Sequence, residues 1–167
     1  MLELQAQVAI QSSLRMIWEY MNNVEGWWVL SSSDHVSLEF FSQEHSLQKG
    51  MRAMLKEQFG GIRGESRGMI AQVIPEKEVV WESEKAVYSH LFFHIPVKQT
   101  VIWIMEENGK EAVLSMKVRL IFSNTAWGRV SEWYFVHVLR GKQLVSDHSL
   151  KELLYIKKAI EGVDKSS

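Results

Sequence analysis

The chain has 167 residues, of which 46% are hydrophobic and 11% aromatic, so a disordered polypeptide is excluded and one domain with a sizeable core is expected. Its 19 basic and 20 acidic residues contain no block of like charge, so neither a nucleic-acid surface nor an anionic-membrane surface is indicated. There is no cysteine, which excludes disulfides, thiolate nucleophiles and cysteine metal sites.

The N-terminal stretch MLELQAQVAIQSSLR lacks a basic region followed by an apolar run, the pattern typical of a targeting segment. No window of the sequence approaches the roughly 20 consecutive apolar residues of a membrane-spanning helix. We therefore expect a cytoplasmic protein with no stable membrane insertion and no nucleic-acid partner. A homodimer is left open as its oligomeric state.

The N-terminal residues predict a strand followed by two short helices. Residues 4–10 alternate weakly between apolar and polar, which indicates a strand, and a serine at position 12 or 13 can cap a helix through about Met21. The segment VEGWW, which follows two asparagines, predicts a second short helix or a turn.

The middle of the chain predicts further strands. Residues 36–42 and 51–59 have strand composition, and the glycine-rich connection FGGIRGESRG is interpreted as a mobile hairpin loop. Residues 68–74 and 79–86 then flank the turn PEKE, because Pro75 is excluded from a central strand.

A hairpin is predicted over VKQTVIWIMEENGKEAVLSMKVRLIF. Asn108-Gly109 is a strong signal for a two-residue type I′ turn, since both central positions of that turn need positive φ. Pairing outward from Glu107 and Lys110 places eight residues on one face: Gln99, Val101, Trp103, Met105, Ala112, Leu114, Met116 and Val118. This register puts Trp103 opposite Leu114. Because this face is nearly all apolar and the other becomes charged, a large element must cover it.

The last quarter of the chain predicts a long helix. From about residue 131 to 162, apolar residues recur at helical spacing: Phe135, Val138, Leu139, Val145, Leu150, Leu153, Leu154, Ile156 and Ile160. Between Arg140 and Ser149 only Leu144 and Val145 are large and apolar, and Gly141 costs up to about 1 kcal/mol relative to alanine. The helix therefore bends or breaks there, or it faces a space that core side chains do not fill.

This order of elements resembles the helix-grip fold of the START and birch-pollen-allergen superfamily, also called SRPBCC, which includes polyketide cyclase and dehydrase-like proteins. AIQSSLRMIWEYMNNVEGWW resembles its opening, MIAQVIPEKEVVWESE its strand, proline turn and strand ending in tryptophan, and SLKELLYIKKAIEG its closing helix. The absence of a proline at the first helix and the polar stretch RGKQLVSDHS depart from the common pattern. The predicted fold class is α+β, with a curved antiparallel sheet of about six to seven strands around a long C-terminal helix, in one domain over residues 1–167.

The resemblance implies a cavity between the sheet and the C-terminal helix. Family members use it for lipids, sterols, plant hormones, aromatic polyketides or other hydrophobic molecules, and some relatives are enzymes. We therefore expect this chain to bind or transport a hydrophobic or aromatic small molecule, without a cofactor. Two alternatives stay open, a cyclase or dehydratase acting on such a molecule and a protein-interaction module with exposed aromatic residues.

Eleven residues are candidates for contact with the ligand. The apolar candidates are Trp28, Val101, Trp103, Met105, Leu114 and Met116, each of which could equally be ordinary core. The remaining candidates are Arg52, Arg67, Tyr134, His137 and Gly141, and for both arginines a solvated strand face is the alternative. Since Trp27 and Trp28 are adjacent, we expect one in the core and one near the cavity mouth, with core positions for both as the alternative.

No metal site and no catalytic residue is predicted. His90 and His94 have H-x-x-x-H spacing, but their segment is strand-like, so the spacing does not align them as ligands. His35, His45 and His148 lie near polar residues and are interpreted as surface. Asp147 and His148 are neighbours on a helix and do not face each other, and GGIRGE lacks the lysine and hydroxyl residue of a phosphate loop.

Overall fold

Seven antiparallel strands form one curved sheet that wraps around the C-terminal helix, which confirms the predicted α+β helix-grip architecture. The computed structural model describes residues 1–43 and 45–163. The elements in chain order are β1 (Leu2–Ile10), α1 (Leu14–Asn22), α2 (Val24–Trp27), β2 (His35–Phe40), β3 (Arg52–Phe59), β4 (Ile62–Ile74), β5 (Glu78–His90), β6 (Phe93–Asn108), β7 (Glu111–Phe122), α3 (Ala126–Trp133), a π-helical turn (Tyr134–Val138) and α4 (Gly141–Val163). The strand order is β1-β7-β6-β5-β4-β3-β2. Across the described helices, none has the length and apolar character that crossing a bilayer requires.

The two short helices seat a pair of tryptophans against the sheet. The Ser13 side chain caps α1 by accepting a hydrogen bond from the Met16 N–H, and Ile17 and Met21 form its buried side. The Trp27 indole N–H donates to the Met21 carbonyl at 2.6 Å, which ties α2 back onto α1. The fully buried Trp27 therefore has its polar atom satisfied inside the core.

The inner face predicted for β6 and β7 is confirmed as the dry face of the sheet. All eight residues predicted on it are buried, none of them more than 9% exposed: Gln99, Val101, Trp103, Met105, Ala112, Leu114, Met116 and Val118. Residues of the opposite face, such as Lys98 and Thr100, are exposed or half-buried. The alternation of side chains along a strand is the cause of this division.

The register of the β6–β7 hairpin is shifted by two residues from the predicted one. Asn108 pairs with Glu111, so the two-residue loop is Gly109-Lys110 and not Asn108-Gly109. Gly109 has a φ of 67°, while Asn108 and Lys110 keep negative φ, which describes a type II′ turn with glycine at its first central position. Because side chains repeat with a period of two, this shift changes the cross-strand partners but leaves every side chain on its predicted face.

The glycine-rich connection after β3 was predicted as a mobile loop, and this prediction is wrong. Phe59 pairs with Ile62, so only Gly60 and Gly61 form the turn, and strand β4 begins directly after it. Both glycines have positive φ, 54° and 80°, as a tight two-residue hairpin turn of type I′ requires. The remaining residues of FGGIRGESRG are part of β4, with Gly64 and Ser66 on its buried face.

The predicted C-terminal helix is broken, as one of the two sequence-based alternatives expected. It begins earlier than predicted, at Ala126, and ends in the π-helical turn, where the Leu139 N–H donates to the Tyr134 carbonyl at 3.1 Å. Arg140 has a φ of 52°, which no helical residue adopts, and α4 starts at the next residue. The break lets α4 change direction and pack across β1 and β7.

Gly141, the first residue of α4, should not tolerate a side chain. A Cβ atom there would lie 2.2 Å from Cε1 of Phe135, whose ring is completely buried. We expect Gly141→Ala to lower the free energy of unfolding by about 1–3 kcal/mol, the usual cost of overpacking, as measured by urea denaturation.

Gly162→Ala is the matched control, since Gly162 lies on the same helix and a Cβ atom there meets no atom within 4 Å. This variant should be as stable as the wild type or gain up to about 1 kcal/mol from helix propensity. If the two variants were equally stable, the ring of Phe135 would have moved to make room for the added Cβ atom.

Candidate functional site: a cavity above a buried histidine and glutamate cluster

A small cavity lies between the inner face of the sheet and α4. Its volume is about 40 Å³, enough for roughly three water molecules at about 10–15 Å³ each. Its apolar wall contains Trp28, Leu55, Phe59, Trp81, Val101, Trp103, Met116, Val118 and Val145. Its polar lining contains Glu57, Ser66, Tyr88, Gln99, His148, Ser149 and Glu152. Most of the space under α4 is therefore filled by side chains in this conformation.

Tryptophans form the apolar end of the cavity. The ring of Trp28 meets Trp81 edge-on with 5.2 Å between centroids, and it meets Trp103 in the same way at 5.7 Å. Trp27 stacks on Trp28 at 6.0 Å, so both adjacent tryptophans point into the interior. This is the core position for both residues, but only Trp28 also lines the cavity. Neither lies at a mouth.

Three buried polar atoms in the cavity wall have no hydrogen-bond partner among the described residues. They are the Ser66 hydroxyl oxygen, the Gln99 side-chain carbonyl oxygen and the Trp103 indole nitrogen. A buried polar group without a partner costs about 1–3 kcal/mol. These three groups thus offer hydrogen bonds to a molecule inside the cavity.

Two histidines and two glutamates meet at the polar end of the cavity; we call His35, Glu57, His148 and Glu152 the His–Glu cluster. The Nε2 atoms of the two histidines are 3.1 Å apart, and Oε1 of Glu152 lies 3.0 Å from each of them. Oε1 of Glu57 lies 3.9 Å from Nε2 of His35 and 3.6 Å from Nε2 of His148. All four side chains are at most 10% exposed.

Three separate elements hold the cluster in place. His35 is the first residue of β2, Glu57 lies on the inner face of β3, and His148 and Glu152 are one turn apart on α4. Each histidine also has a fixed partner on its other ring nitrogen. Nδ1 of His35 is 2.7 Å from the carbonyl oxygen of Trp28, and Nδ1 of His148 is 3.3 Å from Oδ2 of Asp34.

The opposite charges in the cluster stabilise each other. Burial lowers the pKa of His148, but hydrogen bonds and charge interactions with Glu152 and Glu57 outweigh burial and raise that pKa to about 11. Burial raises the pKa of Glu152, but hydrogen bonds from His148 and His35 outweigh it and lower that pKa to about 2. Burial lowers the pKa of His35 as well, but its hydrogen bond with Glu152 and the charges of Glu152 and Glu57 together outweigh burial and raise that pKa. In the absence of any other cation, the cluster is a buried group of ion pairs.

The apolar candidates from the sequence divide into cavity wall and plain core. Trp28, Val101, Trp103 and Met116 line the cavity. Met105 and Leu114 are fully buried, at 2% and 0% exposure, but lie outside the lining. Met105 and Leu114 pair with each other nearer to the turn of the hairpin than the cavity lies, and for this reason they are outside its lining.

The two arginine candidates lie on the outer face of the sheet, outside the cavity lining. Arg52 pairs with Glu84 at 2.5 Å, and the guanidinium of Arg67 lies 4.6 Å from the centre of the Phe41 ring. On β3 and β4 the alternation gives the inner positions to their neighbours. Their placement is therefore the solvated strand face that the sequence left as the alternative.

The candidates near the break of the C-terminal helix also lie outside the cavity lining. The Tyr134 hydroxyl is 2.9 Å from Nδ1 of His90, and its ring stacks on Phe93. His137 is exposed beside Trp133. Gly141 is buried against Phe135, so it serves close packing and leaves no open space.

The sequence-based interpretation of His35 and His148 as surface residues is wrong. The helical stripe of α4 that is buried runs through Val145, His148, Ser149, Glu152, Leu153, Ile156 and Ile160, whereas Leu150 and Leu154 are 40% and 48% exposed. The period of the helix therefore pointed to His148 and Glu152, and strand alternation in β3 pointed to Glu57. Because these three residues are polar, their inward positions do not appear in the hydrophobic pattern of the sequence.

The fold is shared with solved structures of low sequence identity. The chain is similar to TTHA0849 from Thermus thermophilus, with a TM-score of 0.71 and 12% identity over 97% of this chain and 99% of that one. It is similar to the Zhui aromatase/cyclase from Streptomyces sp. R1128, with a TM-score of 0.65 and 14% identity over 96% and 93% of the two chains. For a START superfamily protein from Mycobacterium smegmatis the TM-score is 0.62 at 11% identity, over 96% and 98%.

These likenesses confirm the predicted helix-grip fold, which a START superfamily protein and an aromatase/cyclase share. No protein-family model and no curated protein matches the sequence. At 11–14% identity the solved structures establish the fold alone. The activity has to be argued from the cavity and the cluster of this chain.

Removing one member of the His–Glu cluster should leave an uncompensated buried charge. We expect Glu152→Ala to lower the free energy of unfolding by about 3–5 kcal/mol, the range found when one partner of a buried ion pair is deleted. Urea denaturation at neutral pH measures the change.

The control is Asp147→Asn, which removes an exposed carboxylate from the same helix and should change stability by no more than about 0.5 kcal/mol. If Glu152→Ala were as stable as Asp147→Asn, the histidines would have another source of compensation.

Proposed function

We propose that the chain binds a hydrophobic or aromatic small molecule between the sheet and α4, with the polar group of that molecule directed toward the His–Glu cluster. The observation that carries this proposal is the placement of the three unpaired polar atoms of Ser66, Gln99 and Trp103 in one cavity wall. The Trp103 N–H can donate to a carbonyl or hydroxyl oxygen, and the Gln99 carbonyl can accept from a hydroxyl. A ligand with both oxygen groups and an apolar body fits this lining.

The apolar wall supplies the affinity. Three tryptophans and Met116 surround the cavity, and burial of apolar area contributes about 25 cal/mol per Å². Support of a coarser kind comes from the fold, because a START superfamily protein and aromatase/cyclases share it. These neighbours support either the binding of a hydrophobic ligand or a cyclase activity, and they do not distinguish between the two roles.

Binding of an aromatic ligand requires the cavity to enlarge. Its volume of about 40 Å³ is well below that of the roughly 150 Å³ cavity that accepts benzene in an engineered protein. Met116 lies in the wall and has three rotatable bonds, so it can change rotamer and release space. We therefore infer that the described conformation is a closed form of the cavity.

The His–Glu cluster favours a second candidate function, an enzyme of the cyclase or dehydratase type acting on the bound molecule. A carrier needs only an apolar cavity, whereas buried ionisable groups with displaced pKa values concentrate at catalytic sites. Glu57, His148 and Glu152 border the cavity, so a bound molecule can touch them. This arrangement supports catalysis by these residues and not by Arg52, Arg67, Tyr134 or His137.

An exposed apolar patch is the feature that would suit the third alternative, a protein-interaction module. Phe92 and Leu91 at the β5–β6 turn are 95% and 78% exposed, and Trp127 and Trp133 of α3 are more than half exposed. Phe93 stacks on Trp127 and joins the two groups. Patches of this kind mark interaction sites, but this one lies apart from the cavity and does not replace it.

Ligand binding is tested by filling the cavity. Ser66→Val removes an unpaired hydroxyl and adds methyl groups to the cavity wall, so it should weaken binding at least about tenfold without loss of stability. Fluorescence of the cavity tryptophans reports titrations with 1-anilinonaphthalene-8-sulfonate and with parinaric acid. Native mass spectrometry of the protein from its own organism shows whether it already carries a molecule.

Thr100→Val is the matched control, because Thr100 lies on the outer face of β6. It should bind both probes like the wild type. A wild-type protein that is isolated empty and binds neither probe would overturn the proposal, as would identical titrations for the two variants.

The enzyme candidate predicts that Glu57→Gln separates binding from turnover. A molecule extracted from the purified protein, or one of the poly-β-ketone mimics used for cyclases, should be converted by the wild type to an isomer of different retention time or to a product lighter by one water, and should stay unchanged with Glu57→Gln. Chromatography with mass detection follows the reaction. If the wild type binds the molecule and leaves it unchanged, the chain is a carrier.

A further inference from the structure

In the His–Glu cluster, each of two imidazole nitrogens lies within 3.9 Å of a carboxylate oxygen from Glu57 and of one from Glu152. We propose that His35, His148, Glu57 and Glu152 bind one divalent transition-metal ion of the zinc type at the polar end of the cavity. The proposal stands on the donor atoms of the chain and does not depend on a bound organic molecule.

The distances between the donor atoms fit a metal ion. Zinc binds imidazole nitrogen and carboxylate oxygen at about 2.0–2.2 Å, which gives about 3.3–3.6 Å between donors at tetrahedral angles. The two Nε2 atoms are 3.1 Å apart, and Oε1 of Glu152 lies 3.0 Å from each of them. Oε1 of Glu57 lies 3.6 Å from Nε2 of His148 and 3.9 Å from Nε2 of His35. These distances bracket the tetrahedral value. Moreover, the donor atoms of His35, Glu57 and His148 all lie within 4.8 Å of one another.

The outer hydrogen bonds of both histidines leave their Nε2 atoms free for a metal. The carbonyl oxygen of Trp28 can only accept, so Nδ1 of His35 carries the proton. Oδ2 of Asp34 lies 3.3 Å from Nδ1 of His148 and accepts a hydrogen bond from Lys151 at 3.0 Å, so Nδ1 of His148 can donate its proton to the same oxygen. Neutral rings in these tautomers direct two lone pairs at each other across 3.1 Å. A cation has to lie between them.

That cation is either protons or a metal ion, and the charges favour a metal ion. Two imidazolium rings with nitrogens 3.1 Å apart repel each other, although each is paired with Glu152. A single divalent ion neutralises the two glutamates, contacts both nitrogens and requires no pair of like charges. Two protonated histidines would balance the two glutamates equally well, so the advantage of the metal ion is that it avoids two like charges 3.1 Å apart in a buried site.

The hydrogen-bond partners of the two histidines are of the kinds usually found around metal-binding histidines. Metal-binding histidines usually donate their second N–H to a backbone carbonyl or a carboxylate, which orients the ring. His35 has the carbonyl of Trp28 and His148 has the carboxylate of Asp34. Imidazole and carboxylate donors without thiolate suit zinc, cobalt, nickel or ferrous iron better than magnesium or calcium, which prefer oxygen alone.

The ion would be reachable from the cavity. Glu57, His148 and Glu152 all line it, so an oxygen atom of a bound molecule could enter the coordination sphere beside them. A metal ion there polarises a carbonyl or phenolic oxygen as a Lewis acid. The chemical class that suits this position is an aromatic or β-dicarbonyl compound with an oxygen donor.

The test is the metal content and metal affinity of the tag-free full chain. The wild type, dialysed against chelator, is titrated with zinc chloride by calorimetry and with cobalt chloride by visible absorption. We expect one ion per chain and the d–d bands of tetrahedral cobalt. His148→Gln and Glu152→Gln should weaken zinc binding at least about 100-fold, more than loss of a supporting hydrogen bond usually does.

Two further variants keep the test decisive if a ligand variant fails to fold. Asp34→Asn keeps all four donors and should weaken zinc about 10–100-fold through the orientation of His148 alone. His137→Gln removes an exposed histidine outside the cluster and should bind zinc like the wild type. Circular dichroism verifies the fold of each variant.

Two results would overturn the proposal. A wild type that takes up neither zinc nor cobalt would show that protons hold the cluster together. Equal zinc affinity for the wild type, Asp34→Asn and His148→Gln would show adventitious binding elsewhere on the chain.

Discussion

The buried contact of α4 with β2 and β3 through the His–Glu cluster is the constraint on which the arrangement of this molecule depends. His35, Glu57 and the pair on α4 come from distant parts of the chain, and each of the four side chains is at most 10% exposed. A buried charge that loses its partner costs several kcal/mol, so a small rotation or slide of α4 is unfavourable. The cluster thus fixes the helix more narrowly than apolar packing would, because apolar contacts tolerate sliding.

The apolar part of the interface between the sheet and α4 depends on filling space and not on pairing charges. A seven-stranded curved sheet has a wide inner face, and one helix with a narrow buried stripe cannot fill the whole space beneath it. Large rings fill most of it, and the ring of Trp28 contacts those of Trp27, Trp81 and Trp103. The cavity that remains lies where the aromatic wall meets the cluster, so its surface is apolar on one side and strongly polar on the other.

The polar side of the cavity limits the kinds of function that this chain can have. The helix-grip fold is shared with a START superfamily protein and an aromatase/cyclase at 11–14% identity, and a fold alone does not choose between them. A cavity that binds a purely apolar lipid requires neither unpaired polar atoms nor buried ionisable groups. The polar end of this cavity is therefore the feature to which an oxygen-bearing ligand, a reaction and a metal ion would all be assigned.

The sequence by itself determined which face of the β6–β7 hairpin is buried. Strand alternation placed Trp103 and Met116 inside, the Asn-Gly pair marked a hairpin, and weak helical patterning near Gly141 marked the break before α4. These signals are local, since they depend on the period of a strand or helix and on backbone φ at a few residues. The two-residue register error in the hairpin left every face unchanged for the same reason.

Only the tertiary structure decided the site. Arg52, Arg67, Tyr134 and His137 had suitable chemistry but lie outside the cavity, while His35 and Glu57 acquired their neighbours through the pairing of β2 with β3 and the docking of α4. Periodicity can show that a side chain points inward, as strand alternation did for Trp103 and Met116. It cannot show which inward side chains from distant segments meet, because that depends on strand order, helix direction and packing across the whole sheet.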